Sequence, residues 1–138
     1  MSAARYLVDT NILLRFLSGE PASQAAAARK LFAQAASGEA VLDVSAVIVA
    51  ETIYTLISFY GVERKMAAEK LAVLLRQPGV RLRDSPQVLS ALERLQTNNV
   101  GFADAYLAAG AIEEKVAIAS FDRDFDKFKS VSRYEPIP

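Results

Sequence analysis

Short apolar runs alternate with longer segments of helical period along this chain, a pattern typical of an α/β fold. Strand-like runs occur at 5–8, 40–42 and 116–120, an alternating run occurs at 80–83, and an edge strand is expected at 131–134. Helical periodicity predicts helices at 11–17, 23–36, 46–60, 62–76, 86–98 and 102–115, and a helical turn around 125–128. Strands separated by helices indicate a parallel sheet with helices on both faces, in a single domain without internal repeats.

The first of these strands runs directly into an acidic residue. Three apolar residues of the segment 5–8 precede Asp9, and a helical pattern follows, so the segment is expected to be a buried strand. Open α/β sheets bind ligands at the carboxyl ends of their strands. An Asp, Thr or Asn in front of a helix is just as often an N-cap. Asp9 is therefore a candidate for a ligand site or for a helix cap, and this stretch alone does not decide between them.

Three further acids stand where a carboxylate needs compensation. Glu51 lies in the middle of one helix and Asp104 near the start of another, each on a largely apolar face. Asp122 follows the strand expected at 116–120. A structural alternative exists for each: an arginine partner or a place at the solvent rim for Glu51, interaction with the helix N-terminus for Asp104, and capping of the next turn for Asp122.

Other acids are interpreted as structural. Acids alternate after the fourth strand as in a calcium-binding loop, but Lys127 and Arg133 occupy the positions of the required glycine and bidentate glutamate. Asp124 and Asp126 are therefore expected mostly to face solvent. Asp43 ends the second strand, where capping or turn chemistry accounts for it.

Topology brings four acids toward one edge of the expected sheet. In a parallel sheet Asp9 and Asp122 follow strands that end at the same edge, and the helices that run back begin there as well. Asp104 lies within about one turn of its helix start, and Glu51 lies about six residues beyond Ser45, roughly 9 Å along the helix axis. These four acids can therefore gather at one end of the sheet.

Composition limits the chemistry that such a group could perform. The chain has no cysteine and no histidine, which excludes disulfides, thiol nucleophiles and imidazole ligands. Close carboxylates repel and need cations or shared protons, and ligation by oxygen alone favours Mg²⁺ or Mn²⁺ over zinc. One or two such ions can activate water and stabilise the attacking and leaving oxygens of a phosphodiester. Cleavage of a nucleic-acid backbone is therefore chemically accessible to this chain.

The overall composition indicates a folded, soluble protein. Its 138 residues are 52% hydrophobic, and 16 basic residues offset 16 acidic ones. Because the formal charge is balanced, nucleic-acid binding would depend on a local basic patch or on bound cations. No segment resembles a signal peptide or an apolar stretch long enough to span a bilayer, so a cytoplasmic location is expected.

Four motifs of the chain resemble those of a known family. The opening Leu-Val-Asp-Thr-Asn, Glu51 on its helix, the stretch 104–109 and Ser120-Phe121-Asp122 resemble the four acidic motifs of PIN-domain ribonucleases. The opening Asp-Thr-Asn-x-Leu-Leu-Arg is most similar to toxins of the VapC type, from toxin–antitoxin modules. The resemblance extends over 7–128, and the ordered set of four motifs is more specific than any one of them.

The resemblance implies a Mg²⁺- or Mn²⁺-dependent endoribonuclease on one PIN-like α/β/α domain spanning 1–138, with a central parallel sheet of about five strands. It assigns Asp9, Glu51, Asp104 and Asp122 as the catalytic, metal-binding acids. Members of the family usually form homodimers, are inhibited by a cognate antitoxin protein and cleave structured RNA such as tRNA or rRNA. These properties are expected here on the same basis.

Three polar residues receive supporting roles from the resemblance. Thr10 and Asn11 belong to the first motif and are expected to orient the site, although capping remains part of what they can do. Ser120 stands where the family frequently has threonine, and its hydroxyl preserves the polar role.

Basic residues near these motifs are harder to assign. Arg15 lies one turn beyond the first motif and is a candidate for contact with the scissile phosphate or with an acid, but a surface or salt-bridging role explains it better. Arg123 and Lys127 could form a basic rim for RNA, and a solvated face explains them equally well.

Two other functions remain compatible with these residues. A phosphohydrolase or phospho-acceptor domain could use Asp9 as its nucleophile, but Asn11 occupies the place of the second Asp in a haloacid-dehalogenase site, and Asp84 follows a strand too charged for a receiver domain. A non-catalytic binding module with a PIN-like fold is the second, and retention of all four acids counts against it.

Overall fold

The computed structural model describes residues 3–138, which contain five strands, six α-helices and one 3₁₀ helix. In chain order these are β1 (Ala4–Leu7), α1 (Thr10–Ser18), α2 (Ala22–Ala36), β2 (Ala40–Val44), α3 (Ala46–Ser58), α4 (Arg64–Leu75), β3 (Val80–Leu82), α5 (Ser85–Thr97), α6 (Phe102–Glu114), β4 (Ile118–Ala119), the 3₁₀ helix (Arg123–Lys127) and β5 (Arg133–Tyr134). The α/β class and the order of elements expected from the sequence are confirmed. No helix in this part of the chain is long and apolar enough to cross a membrane.

Helix ends follow local chemistry, which is why the expected boundaries are close to the observed ones. Asp9 accepts a hydrogen bond from the first backbone N–H of α1, and Gly19 ends that helix in the left-handed conformation. The Ser45 hydroxyl accepts from the Ile48 N–H at the start of α3. Pro86 lies in the first turn of α5, where its missing N–H is not needed.

The five strands of the described residues are divided between two parallel sheets. In the first sheet β2 lies between β1 and β3, with Tyr6 opposite Leu42 and Leu42 opposite Val80. In the second sheet β4 pairs with β5, and Ile118 lies opposite Arg133. Parallel pairing and the number of strands agree with the expectation, but the strands do not form one continuous sheet.

The core is centred on β2, and the two strands expected to be buried are not. Leu42 is 0% exposed, whereas Leu7 on β1 is 77% exposed, and of the segment 5–8 only Val8 is buried. The expectation of a buried first strand is wrong because β1 is an edge strand that pairs with β2 on one side only. The fourth strand shortens to two residues, of which Ile118 alone is buried.

Gly79 allows helix α2 to pack closely against the first sheet. Its φ is 84°, and a Cβ atom at this position would lie 2.4 Å from the carbonyl oxygen of Ala35. The Gly79 carbonyl accepts a hydrogen bond of 2.8 Å from the N–H of Leu42. A side chain is therefore excluded by the conformation and by the backbone of α2 at once.

Asp43 has a different role from the capping or turn chemistry expected for it. Its side chain is 3% exposed, it accepts a hydrogen bond from Arg5, and its Oδ1 lies 3.9 Å from Nε of Arg81. The two arginines come from the strands on either side of β2. A buried carboxylate needs such partners, so Asp43 is the centre of an ion-pair cluster that joins all three strands.

Candidate functional site

A first acidic group connects the end of β1 to helix α3. Oδ1 of Asp9 accepts a hydrogen bond of 2.8 Å from the Thr10 N–H, so Asp9 is the N-cap of α1. The Thr10 hydroxyl donates a hydrogen bond of 2.8 Å to Oε2 of Glu51. Asp9 and Glu51 are both exposed. In the first acidic group (Asp9, Thr10 and Glu51), Thr10 therefore links the two acids, through its backbone N–H to Asp9 and through its hydroxyl to Glu51.

The apolar face that carries Glu51 is open to solvent. Its neighbours Val47 and Tyr54 are 67% and 73% exposed. Because the carboxylate stays in water, the expected burial cost does not arise. Of the alternatives for Glu51, the rim position is the one observed, and the observed hydrogen-bond donor is a threonine rather than an arginine.

A second acidic group lies around the start of α6. Asp104 is in the first turn of this helix and half-buried, and its burial raises the pKa of its carboxyl group. The negative charges of Asp122 and Asp124 raise that pKa further. The second acidic group (Asp104, Asp122 and Asp124) therefore holds like charges close enough to repel one another.

The turn 120–124 is shaped by its own polar groups. The Asp122 N–H donates a hydrogen bond of 2.9 Å to the Ser120 hydroxyl, and Oδ1 of Asp122 accepts one of 2.8 Å from the Asp124 N–H. Capping of the next turn, the structural alternative for Asp122, is therefore observed, and it occupies one carboxylate oxygen. The Ser120 hydroxyl thus contacts the backbone that carries Asp122, and its expected role in the site stays a prediction.

Asp124 is the member of this group that sequence reasoning missed. It is exposed, as expected, and Nζ of Lys127 lies 3.4 Å from its carboxylate. Its charge nevertheless acts on Asp104 from another element. The alternation of acids after the fourth strand is the sequence signal that marks Asp124, but an incomplete calcium-loop motif does not indicate any other role for it.

The remaining candidates are exposed or make other contacts. Asn11 is exposed at the start of α1. The Arg15 guanidinium donates hydrogen bonds of 3.0 Å to Oε1 of Gln24 and 3.1 Å to the Tyr60 hydroxyl. Both partners are neutral, so within residues 3–138 Arg15 connects α1 to α2 and to the segment just after α3 through hydrogen bonds and not through a salt bridge. Arg123 is exposed.

The oxygen atoms of both acidic groups are suitable ligands for a hard divalent cation. Carboxylate and hydroxyl oxygens are the ligands that Mg²⁺ and Mn²⁺ prefer, and a cation would offset the repulsion around Asp104. Within residues 3–138 no group of three or more acidic side chains is arranged to hold a metal ion. The gathering of Asp9, Glu51, Asp104 and Asp122 into one site therefore stays a prediction.

Comparison with known proteins identifies one family. The family model described as "PIN domain" matches residues 6–131. No curated protein matches the chain. Among solved structures, the chain is similar at 16% identity to one in the crystal structure of VapBC2 from Rickettsia felis bound to a DNA fragment from their promoter, covering 94% of this chain and 97% of that chain with a TM-score of 0.38. The likeness to that structure is weak, whereas the family match spans most of the sequence.

Proposed function

The chain belongs to the PIN-domain family, and on that premise we propose that it is a Mg²⁺- or Mn²⁺-dependent endoribonuclease, the toxin of a toxin–antitoxin pair. Domains of this family are generally nucleases. The observation that supports the proposal best is the second acidic group, in which the pKa of Asp104 is raised by burial and by the charges of Asp122 and Asp124. Such crowding costs stability and is offset when a cation binds.

The proposed ligands are Asp9, Glu51, Asp104 and Asp122. A bound divalent ion supplies Lewis-acid stabilisation of charge on phosphate oxygens and lowers the pKa of water. The chain's part is to place carboxylates. The Thr10 hydroxyl orients Glu51, and capping bonds fix one oxygen each of Asp9 and Asp122, leaving the second oxygen for other partners.

The substrate and partners are proposed from the opening motif. We infer a structured RNA such as tRNA or rRNA as the substrate, a cognate antitoxin protein as the inhibitor, and a cytoplasmic homodimer as the active form. Exposed apolar side chains on α3 and just beyond it, Val47, Tyr54 and Phe59, support association with another protein surface.

Cleavage of a panel of structured RNAs under single-turnover conditions, with Mn²⁺ or Mg²⁺, tests the proposed activity. We expect Asp9→Asn and Asp104→Asn each to lower the cleavage rate by more than about 100-fold, because losing a ligand should cost at least as much as losing a group that only orients one. Glu113→Gln, an exposed acid near the other end of α6, is the matched control and should cleave at the parent rate.

Two results would reject the proposal in different ways. Equal cleavage by the parent and by both Asn variants would remove these acids from the mechanism. Absence of cleavage together with absence of Mn²⁺ binding, measured by calorimetry with RNA present, would favour a non-catalytic binding module. A covalent acyl-phosphate trapped on Asp9 would instead favour a phosphohydrolase or phospho-acceptor function.

A further inference from the structure

Arg133 makes the densest set of polar contacts near the second acidic group. Its Nε and Nη2 donate to the two carboxylate oxygens of Asp126 at 3.0 and 3.4 Å. Its Nη1 donates to the carbonyl oxygen of Ser120 at 3.1 Å and to Oε1 of Glu135 at 2.9 Å. The Arg133 side chain is 14% exposed, whereas its partners Asp126 and Glu135 are 56% and 53% exposed; the bond to the Ser120 carbonyl is the part-buried one of the four.

Two of these contacts bracket the segment that carries the acids. Ser120 precedes Asp122 by two residues, and Asp126 follows Asp124 by two residues. One planar guanidinium therefore holds both ends of the turn 120–126. The backbone reinforces this grip, because the Ser120 N–H donates a hydrogen bond of 3.0 Å to the carbonyl of Tyr134, next to Arg133 on β5.

The hydrogen bonds inside the turn depend on the position of Ser120. Its hydroxyl accepts from the N–H of Asp122, and Asp122 in turn accepts from the N–H of Asp124. A guanidinium that fixes Ser120 thus acts on Asp122 and Asp124 through this short chain of bonds.

We propose that Arg133 is a positioning residue for the acidic site, a clamp that sets the turn 120–126 and so holds the Asp122 carboxylate where it can meet a cation. The inference rests on the proposed function for the cation and on the contacts above for the clamp. Arg133 lies beyond the residues 6–131 matched by the family model, so this role is carried by the chain's own C-terminal strand.

Arg133→Gln tests the clamp in two measurements that do not require RNA cleavage. Amide hydrogen exchange of Asp122 and Asp124 should accelerate by about tenfold or more, while exchange in α3 and α4 stays at the parent rate. Affinity for Mn²⁺ alone, followed by electron paramagnetic resonance of the free ion, should fall by about 10- to 100-fold. In a cleavage assay the loss should be recovered in part by raising the Mn²⁺ concentration.

Two further variants separate positioning from general stability. Glu135→Gln removes the negative charge of a half-exposed partner of the same guanidinium and leaves the contacts to Ser120 and Asp126, so it should behave like the parent. Arg133→Lys keeps the charge but cannot donate in a fork to both ends of the turn, so it should lie between the parent and Arg133→Gln.

The outcomes are distinguishable. Parent-like exchange at Asp122 and Asp124 in Arg133→Gln, or equal effects of Arg133→Gln and Glu135→Gln, would overturn the clamp. If Arg133→Gln does not fold, Arg133→Lys decides: faster exchange confined to the turn supports the clamp, and parent-like exchange there overturns it. If the parent binds no Mn²⁺, the proposed function fails while the exchange measurement still decides the role of Arg133.

Discussion

The two acidic groups of this protein stand on different supports. The first acidic group is attached to the three-stranded sheet, whose central strand β2 is buried and cross-linked by the Asp43 cluster. In the second acidic group, Asp122 and Asp124 follow a sheet of two-residue strands whose backbone pairing is supplemented by Arg133, and Asp104 lies on α6. Carboxylates in the first group are balanced by a hydroxyl and a cap, whereas those in the second are crowded. The first acidic group is therefore relaxed, because its carboxylates have partners, and it lies beside a buried and cross-linked sheet. The second acidic group is strained by repulsion between its carboxylates, and it lies beside a sheet of two short strands.

The largest expected effect on stability comes from truncating a buried side chain in the first sheet. Leu42→Ala should lower the free energy of unfolding by about 2–5 kcal/mol, because the side chain is fully buried at the centre of the core. Its control is Leu7→Ala on the neighbouring strand, which should change stability by less than about 0.5 kcal/mol. Urea denaturation measures both. A loss for Leu7→Ala as large as that for Leu42→Ala would mean that β1 is buried in solution and that the two sheets are not separate.

Gly79 provides an intermediate effect on the same scaffold. Gly38→Ala, at a positive φ with open space around it, should cost about 1 kcal/mol from backbone strain alone. Gly79→Ala adds a collision with the Ala35 carbonyl and should cost at least about twice as much, measured by urea denaturation. Equal costs would show that α2 can move away from β3 freely, and the first sheet would then be less firm than described.

The smallest effect compares the acids themselves. The folded-state pKa of Asp104 lies above its ordinary value of 3.8, so its favourable contribution is complete below that pH and is lost as the pH rises through the raised value. Asp104→Asn should therefore be more stable than the parent at pH 7, and the difference should vanish on acidification below pH 3.8. Urea denaturation across this pH range, without divalent ions, measures it.

Asp9→Asn is the counterpart in the first acidic group. Asparagine caps a helix about as well as aspartate, so this variant should match the parent within about 0.5 kcal/mol at pH 7. A destabilised Asp104→Asn variant, or a stabilised Asp9→Asn variant, would contradict the contrast between a strained and a relaxed group.

Local chemistry made much of this fold predictable. Asp9, Ser45 and Pro86 mark helix starts, because an N-cap or an N-terminal proline acts within one turn of chain. Hydrophobic periodicity predicts the helices equally well, because it also depends on residues only three or four positions apart. The expectations that failed concern tertiary arrangement: the strands divide into two sheets, Asp43 is paired with arginines, and Leu7, which is apolar and follows the strand pattern, lies in solvent.

For the candidate site as well, local features could be predicted from sequence and contacts between distant residues could not. Candidate acids could be nominated from sequence because carboxylates at strand ends and helix starts need an explanation wherever they occur. The partners of those acids could not be chosen. The Thr10–Glu51 bond leaves no local signature, and the alternation of acids around Asp124 does not reveal that its charge acts on Asp104, since each interaction joins residues from different elements.

The sequence by itself determined the α/β class, the order of its elements and several helix caps, because these follow from periodicity, backbone propensity and residue chemistry over a few positions; the set of four acids that it nominates stays a prediction. Only the tertiary structure decided that the strands divide into two sheets, that Asp43 is paired inside the first and that Arg133 grips the second. Those outcomes depend on which distant residues share a surface, and pairing of that kind is settled by packing and charge across the whole fold.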